Sequence, residues 1–326
     1  MLKRRRTLTK LALLAVTVAA LLALWMWRYP LALVHAEFTR QRLGADLSLQ
    51  DAQAAGHRWV YALRDSDRAD APTLVMVHGF TGSKENWYPL AKALGGRYRI
   101  VIPDLPGWGA SERKPGADYG FVAQSDRLAQ FIEMVARRPG SEVVLLGHSM
   151  GGGIAALTAA EHPASVDRVG LFDAAGVRFK DNQFGAAVLD GANPFAVHDQ
   201  ASLQRYLDTV FHDEASKPMI PWPASSALIR WRIAQAPFEQ SVLDRIGRSD
   251  ERFLPGDAAT RIDQPALLLW CRQDEVIDAS ALDLYAVRMP QAQKVLLDEC
   301  GHMSIIEKPA AAAAAVVSLI EQGTPR

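Results

Sequence analysis

A serine between glycines directly follows a short apolar run. The segment GHSMG at 147–151 fits the pattern G-x-S-x-G, and the apolar run at 142–146 precedes it. Between a strand and a helix, this pattern holds the serine on a sharp turn, where glycine is required because a Cβ would collide with adjacent backbone. The turn presents the hydroxyl at the carboxyl edge of a sheet, near the positive N-terminus of the next helix. Ser149 is therefore a candidate nucleophile, and a glycine-rich turn without chemistry is the alternative interpretation.

A serine hydroxyl is a weak nucleophile at neutral pH, so it needs a base and an acid that orients the base. Where this serine pattern serves catalysis, the order along the chain is serine, acid, histidine. Asp274, Glu275 and Asp278 follow a later apolar run, and His302 is the only histidine beyond them. Asp274 is the preferred acid because it lies before a predicted helix, whereas Asp278 has the position of a helix N-cap.

Two backbone N–H groups are predicted to complete the site by stabilising an oxyanion. One belongs to Met150, directly after the serine, and the other to Phe80, in the loop that begins at His78. His78 and His148 are interpreted as structural residues, the first bonding its loop and the second packed or lining a pocket. Asp104 is interpreted as a residue that forms a loop.

Short apolar runs alternate with helical patterns along most of the chain. The predicted strands lie at 57–63, 73–78, 99–102, 142–146, 166–172, 266–270 and 294–297. The predicted helices lie at 86–94, 122–137, 150–161, 279–288 and 304–321, and a polar helical linker is predicted at 36–49. Such runs form strands buried on both faces, so the alternation predicts a doubly wound, mostly parallel α/β sheet.

The interval between Phe172 and Ala266 interrupts this alternation. It has no convincing strand, which predicts a helical subdomain over one end of the sheet. The interval is rich in large apolar side chains: Phe195, Tyr206, Leu207, Phe211, Met219, Ile220, Trp222, Leu228, Trp231 and Ile233. Most of them are expected to form its own core, and some to face the serine and bind an acyl chain or another apolar group.

The first 35 residues differ from the rest. Five basic residues precede the segment 11–27, which has no charge over 17 residues. Its length is at the lower limit of about 17 residues for a membrane-spanning helix, and Trp25, Trp27 and Tyr29 have the position of an interfacial aromatic belt. We interpret 1–35 as an uncleaved anchor. The alternative is a secretory signal, but the one small-residue cleavage site, at 34–36, lies far from the apolar run.

Charge and cysteine usage exclude several classes of protein. The positive-inside rule predicts a cytoplasmic N-terminus for such an anchor, with the bulk of the chain in the periplasm or outside the cell. The 36 basic and 36 acidic residues balance, so no basic field indicates nucleic acid. Two cysteines are too few for a disulfide scaffold or a zinc site built on cysteine clusters.

A family resemblance rests on six segments: HGFTGSKENW at 78–87, PDLPGWGAS at 103–111, GHSMGG at 147–152, DAAGV at 173–177, LLLWCRQDEVID at 267–278 and ECGHMSIIEKP at 299–309. From about Pro72 to its end the chain resembles α/β-hydrolases. In particular, it resembles the bacterial true lipases of family V and the membrane-anchored monoacylglycerol lipases of the α/β-hydrolase-domain six type. The anchor directly before the hydrolase part is shared with the second group.

The resemblance implies the α/β-hydrolase fold, with a helical cap inserted after the sixth strand. The expected parts are the anchor at 1–35, the core at 36–176 and 259–326, and the cap at 177–258. The family pattern places the nucleophile on Ser149, the acid on Asp274 and the base on His302, as the residues themselves do. It also implies hydrolysis of acylglycerols or similar lipids without a cofactor or a metal.

Cys271 departs from the family pattern, which usually has glycine there. One hypothesis is that Cys271 and Cys300 lie within disulfide range beside the triad, since both end neighbouring strands and the expected compartment is oxidising. Two separate buried thiols are the preferred interpretation.

Together these features predict a serine carboxylester hydrolase that works through an acyl-enzyme. The expected substrates are monoacylglycerol-like or other apolar acyl esters, and the expected partners are such a lipid and the membrane, not nucleic acid. A hydrolase of carbon–carbon bonds in ring-cleavage products is the first alternative, because it uses the same triad and a similar cap. A catalytically inactive, membrane-tethered binding protein is the second.

Overall fold

The structure, a computed structural model, describes residues 2–68 and 70–321 and has one central sheet. Its strands are β1 (Ser48–Ala54), β2 (His57–Arg64), β3 (Thr73–Val77), β4 (Arg99–Pro103), β5 (Val143–His148), β6 (Arg168–Phe172), β7 (Ala266–Cys271) and β8 (Gln293–Leu297). They lie in the order β1-β2-β4-β3-β5-β6-β7-β8. β2 is antiparallel to β1 and β4, and the other neighbours are parallel. The predicted mostly parallel sheet is confirmed.

Helices cover the sheet and fill the interval after β6. They are α1 (Leu2–Arg28), α2 (Ala32–Gly44), α3 (Tyr88–Ala93), α4 (Phe121–Phe131), α5 (Met150–Glu161), α6 (Gln183–Leu189), α7 (Gln200–Val210), α8 (Ala224–Arg248), α9 (Leu254–Ala258), α10 (Ser280–Arg288), α11 (Ser304–Glu307) and α12 (Pro309–Glu321). A π-helical turn, Ile132–Ala136, continues α4. Short 3₁₀ turns are Lys84–Trp87, Gly95–Arg97, Pro163–Ser165, Asp250–Phe253 and Ala259–Arg261.

Two predicted elements differ from the structure. The helical linker predicted at 36–49 ends at Gly44, and β1 begins at Ser48. β1 pairs with only one neighbour and its side chains are mostly exposed, so it has no apolar alternation. The helix predicted at 304–321 is divided at Pro309, because proline starts a helix readily and cannot continue one.

The five central strands of the sheet are buried on both faces. β3, β4, β5, β6 and β7 are buried along their whole length, as their continuous apolar runs predict. α4, α5 and α10 contribute Phe121, Ile154 and Leu282 to one core cluster, while α3 and α12 contribute Leu90 and Val316 to another. The four helices α6 to α9 all lie between β6 and β7, so the predicted helical insertion after the sixth strand is confirmed.

α1 is the one helix in the described chain with the length and composition of a membrane span. The apolar part, Thr7–Arg28, has 22 residues, and its most apolar stretch has a mean hydropathy of 2.1 and no buried residue. It is longer than the uncharged segment at 11–27, because the helix continues through flanking residues. A span of about 20 apolar residues matches the hydrocarbon core of a bilayer.

Candidate active site

Ser149 occupies a strained turn between β5 and α5. Its φ of 57° and ψ of −121° place a non-glycine residue at positive φ. Hydrogen bonds hold this conformation: the Ser149 N–H donates to Phe172 O at 2.9 Å, and Ser149 O accepts from Gly153 N at 3.1 Å. A Cβ on Gly147 would overlap the Gly151 carbonyl, so the turn requires the glycine that the sequence provides.

The three residues predicted as a triad lie in one hydrogen-bonded series. His302 Nε2 is 2.9 Å from Ser149 Oγ, and His302 Nδ1 is 2.9 Å from Asp274 Oδ2. Asp274 Oδ1 accepts from the N–H groups of Val276 at 2.8 Å and Ile277 at 3.0 Å. All three residues of the series are buried. Both carboxylate oxygens are thereby fixed, and the carboxylate fixes the ring.

The two rival acids lie elsewhere. Glu275 is exposed, and Asp278 Oδ1 accepts from Ser280 N at 2.9 Å where α10 begins. The N-cap of α10 is Ala279, one residue after the predicted Asp278, whose carboxylate instead accepts from the first residue of the helix. Among the three candidates, Asp274 is the one that the structure brings to His302.

Burial controls the charge of this series. It lowers the pKa of His302 to about 3, because an imidazolium here would lose its hydration. The ring is therefore neutral at pH 7, and with Nδ1–H bound to Asp274 its Nε2 lone pair faces the Ser149 hydroxyl. Burial also raises the pKa of the Asp274 carboxyl, while the N–H groups of Ile277 and Val276 act in the opposite direction.

His148 lies behind the ring of His302. Its Nε2 is 2.7 Å from the His302 carbonyl oxygen, so this nitrogen carries a proton and donates it. The two ring centroids are 4.9 Å apart. Burial, and then the proximity of His302, lowers the pKa of His148 to about 3. His148 is thus a neutral, packed residue, as one of the two predicted alternatives had it, and its hydrogen bond to His302 O is a contact that the sequence did not predict.

The loop after β3 approaches the serine closely. A Cβ on Gly79 would come within 2.9 Å of the Ser149 Cβ, so glycine is required for this approach. His78 fixes the loop, since its Nδ1 lies 2.8 Å from Gly79 O and its Nε2 accepts from Leu105 N at 3.0 Å. This agrees with the structural role predicted for His78.

Asp104 holds the same loop through a buried ion pair. Its Oδ2 is 2.9 Å from Lys84 Nζ, and its Oδ1 accepts from Lys84 N at 2.7 Å. Oδ2 also accepts from Ala110 N at 2.8 Å. Burial alone would lower the pKa of Lys84, but Asp104 and Glu85 beside it raise that pKa above its ordinary value. Asp104 is the loop-forming residue that was predicted, and Lys84 is the partner that was not.

Phe80 and Met150 both line a cavity next to Ser149. Within the described chain, the backbone N–H of neither residue donates a hydrogen bond to another residue. Two free N–H donors beside a serine can stabilise a negative oxygen that forms during attack on a carbonyl. Both predicted residues thus line the cavity, and their N–H groups have no partner among the described residues, while their role as oxyanion donors stays a prediction.

The cavity is apolar and has a volume of about 230 Å³. Its lining includes Phe121, Phe179, Phe184, Val188, Phe195, Leu243 and Ile246, with Arg178, Asp181 and Arg252 as charged members. Of the large apolar residues singled out in the cap sequence, Phe195 is the one that lines this cavity. Met219 and Trp222 are instead strongly exposed, at 90% and 73%, so they do not belong to a cap core. Apolar type alone did not distinguish these positions.

Asp173 is a buried carboxyl beside the site that the sequence did not single out. Its Oδ1 accepts from Cys271 N at 3.0 Å, and Oδ2 accepts from the Ser304 hydroxyl. Burial, and then the nearby Asp274, raises the pKa of Asp173 well above its ordinary value. Its position directly after β6 was the available signal, since carboxyl ends of parallel strands converge on one edge.

Glu307 is a second buried carboxyl that the sequence did not reveal as a site residue. Oε1 accepts from Gly301 N at 2.9 Å, and Oε2 accepts from His212 N at 3.0 Å and Asp213 N at 2.7 Å. It therefore joins the chain before His302 to the chain after α7, in the cap.

Cys271 and Cys300 form a disulfide, with their Cα atoms 5.3 Å apart. The preferred interpretation as two separate thiols is wrong, and the hypothesis of a pair beside the triad is confirmed. β7 and β8 are neighbours in register, with Cys271 opposite Leu297, which brings the two cysteines together.

Comparison with known proteins agrees with this geometry. Residues 72–309 match the family described as alpha/beta hydrolase fold. Lipase 3 of Moraxella sp. is 29% identical over 82% of this chain and 82% of its own length. The mouse monoacylglycerol lipase ABHD6 is 26% identical over 94% of this chain and 92% of its own.

A solved structure extends the similarity over nearly the whole chain. The crystal structure of a membrane phospholipase A, described as a bacterial virulence factor, superposes with a TM-score of 0.83 and 31% identity. It covers 97% of this chain and 98% of that one. The sequence resemblance is therefore confirmed, and the chain belongs to the α/β-hydrolase fold family.

Proposed function

We propose that the chain is a serine carboxylester hydrolase that cleaves monoacylglycerol-like or other apolar acyl esters. The family and the relatives named as lipases make it a hydrolase of the esterase and lipase kind. One observation supports the finer proposal most strongly: the hydrogen-bonded series from Asp274 through His302 to Ser149 lies beside an apolar cavity.

In the proposed reaction, Ser149 Oγ attacks the ester carbonyl while His302 Nε2 takes the hydroxyl proton. The carbonyl oxygen becomes an oxyanion, which the N–H groups of Phe80 and Met150 stabilise. The carbon–oxygen bond of the ester then breaks, and the imidazolium returns the proton to the leaving alcohol. A water molecule attacks the acyl-enzyme by the same route and releases the acid. Asp274 keeps the ring in the tautomer that can accept the proton.

The cavity supports an apolar acyl group as the substrate part that is bound. Binding pockets bury an apolar ligand among apolar and aromatic side chains and leave a few polar groups to orient it. Here the aromatic rings of Phe80 and Phe195, whose centroids are 5.3 Å apart, connect the loop after β3 with the cap. An acyl chain in the cavity would place its carbonyl carbon at Ser149.

We further propose that α1 anchors the enzyme in a membrane, with the N-terminus cytoplasmic and the catalytic domain on the periplasmic or extracellular side. Five basic residues before the span support this orientation. The Cys271–Cys300 disulfide supports an oxidising compartment for the catalytic domain. Secretion after signal cleavage is the alternative, and the mass of the mature protein distinguishes the two.

The test is hydrolysis of p-nitrophenyl esters and monoacylglycerols over a series of acyl lengths by the detergent-solubilised full chain. We expect hydrolysis that disappears in Ser149→Ala and persists in Ser241→Ala, a change of an exposed serine on α8. A fluorophosphonate should label Ser149 and not Ser241. Absence of labelling would favour a binding protein, and cleavage of a ring-fission diketone without ester hydrolysis would favour the carbon–carbon hydrolase.

A further inference from the structure

The loop that holds the proposed base leaves the sheet at an edge. β8 has β7 as its one neighbour, and the ladder between them ends with Leu297 opposite Cys271. Beyond this pair, Asp298 and Glu299 are exposed, and Glu299 turns the chain at a φ of 56°. The strand ladder therefore does not by itself fix the distance from His302 to the acid.

The disulfide connects this loop to the loop of the proposed acid. Cys271 precedes Asp274 by three positions, and Cys300 precedes His302 by two. A hydrogen bond from Cys300 N to Gln273 Oε1, at 3.4 Å, is long and weak. The disulfide is the covalent link between the two loops, and Asp173 joins them through hydrogen bonds from Cys271 N and the Ser304 hydroxyl.

Another link lies on the surface. Arg272 Nε and Asp298 Oδ1 form an ion pair in which both side chains are more than half exposed. Exposed ion pairs of this kind contribute little, because solvent screens them and two long side chains must be ordered. The ion pair therefore cannot replace a covalent bond in setting the distance.

We propose that the Cys271–Cys300 disulfide is a positioning element of the site: it fixes the acid loop and the base loop at the separation that His302 and Asp274 need. The inference rests on the function proposed above. A misplacement of about 1 Å in a catalytic group can cost about a hundredfold in rate. The 2.9 Å contact between Nδ1 and Oδ2 depends on the relative position of the two loops that the disulfide joins.

The pair acts as a permanent constraint and not as a switch. Cys271 and Cys300 are both fully buried, so a reductant reaches them only when the surrounding structure opens. We expect a mild, membrane-impermeant reductant to leave the activity of the folded enzyme unchanged. A rapid loss of activity under that reductant would contradict this part of the inference.

The test is the double variant Cys271→Ser/Cys300→Ser of the full chain, with kcat and KM measured on a p-nitrophenyl ester. We expect kcat to fall about tenfold and KM to stay within about twofold, because alignment affects the transition state more than binding. In an Asp274→Asn background the hydrogen bond to the base is already altered. The same cysteine change should then lower kcat by less than about twofold, since coupled residues are not additive.

Leu319→Ala is the matched control, because it removes a fully buried side chain of α12 and lowers Tm without involving the two loops. Its kcat should remain that of the wild type. An unchanged kcat in the serine variant, or equal losses in both backgrounds, would overturn the proposal. If the serine variant does not fold, Cys271→Ala/Cys300→Val keeps apolar groups in the site and is measured in the same way. Inactive wild-type enzyme would instead refute the proposed function.

Discussion

Replacing Asp274 with asparagine tests the direction of each hydrogen bond in the proposed triad. Two N–H donors, from Val276 at 2.8 Å and Ile277 at 3.0 Å, face Oδ1. The asparagine must keep its carbonyl oxygen at that place, so its NH₂ group faces His302 Nδ1 where Oδ2 was. An NH₂ group only donates. His302 must then accept at Nδ1 and hold its proton on Nε2.

That tautomer cannot take the proton of Ser149, because the nitrogen 2.9 Å from Oγ no longer has a free lone pair. We therefore expect kcat to fall about 10⁴-fold, the loss that a wrong tautomer causes in serine hydrolases. This factor equals about 5.5 kcal/mol of transition-state stabilisation. The free energy of unfolding should change by no more than about 1 kcal/mol, because the two backbone N–H groups remain bonded.

The assay is steady-state hydrolysis of a p-nitrophenyl ester, with urea unfolding of the same preparation. Asp278→Asn is the matched control, because the Oδ1 of asparagine can accept from Ser280 N as that of aspartate does, and Asp278 bonds only the start of α10 among the described contacts. It should retain about the wild-type rate. The assignment of the acid would be wrong if Asp274→Asn kept more than about a tenth of the wild-type kcat. It would also be wrong if Asp278→Asn lost more of its kcat than Asp274→Asn did.

Three further predictions concern the surroundings of the site. Since burial lowers the pKa of His302 to about 3, the protonation that removes the base occurs below its ordinary pKa, so kcat/KM should stay level as pH falls through 6.5 in a pH–rate profile. A fall centred at or above about pH 6.5 would contradict this. Glu307→Gln should lower the free energy of unfolding by about 2 kcal/mol. Three backbone N–H groups donate to the two carboxylate oxygens, and the NH₂ group that replaces one of these oxygens cannot accept a hydrogen bond. Urea titration measures this loss. Asp104→Asn should lower the free energy of unfolding by about 3 kcal/mol in the same titration, since it leaves Glu85 as the one carboxylate beside the buried Lys84 ammonium. A loss under about 1 kcal/mol would contradict a buried ion pair that stabilises the fold.

Local patterns predicted the site best where one short segment determines the geometry. The turn at Ser149 is defined by glycines whose absence of a Cβ is a steric requirement, and steric requirements are visible in a sequence. The preference for Asp274 over Asp278 likewise came from the position of one helix start. The buried strands were predictable because short, continuous apolar runs are typical of parallel strands that are buried on both faces.

Contacts between distant segments were not predictable in the same way. β1 has polar, exposed side chains, and its existence depends on pairing with β2 through the turn at Ala55 and Gly56. The cysteine pair depends on the register of β7 and β8, which cannot be deduced from either sequence segment alone. Asp173 could not be distinguished from an ordinary loop carboxylate until its partners, Cys271 N and Ser304, were known.

The cap contacts the loop of the proposed base and also lines the cavity beside Ser149. Met303 N donates to Val210 O at 3.1 Å, and Glu307 binds the backbone of His212 and Asp213. A Cβ on Gly301 would come within 2.8 Å of His212 N, so the cap chain and the loop of the base are in direct contact. The ring of His302 is buried beside these contacts, and burial is the main cause of its lowered pKa. A change in this part of the cap would therefore alter the proton transfer without changing the lining of the cavity, to which other cap residues such as Phe195 and Leu243 belong.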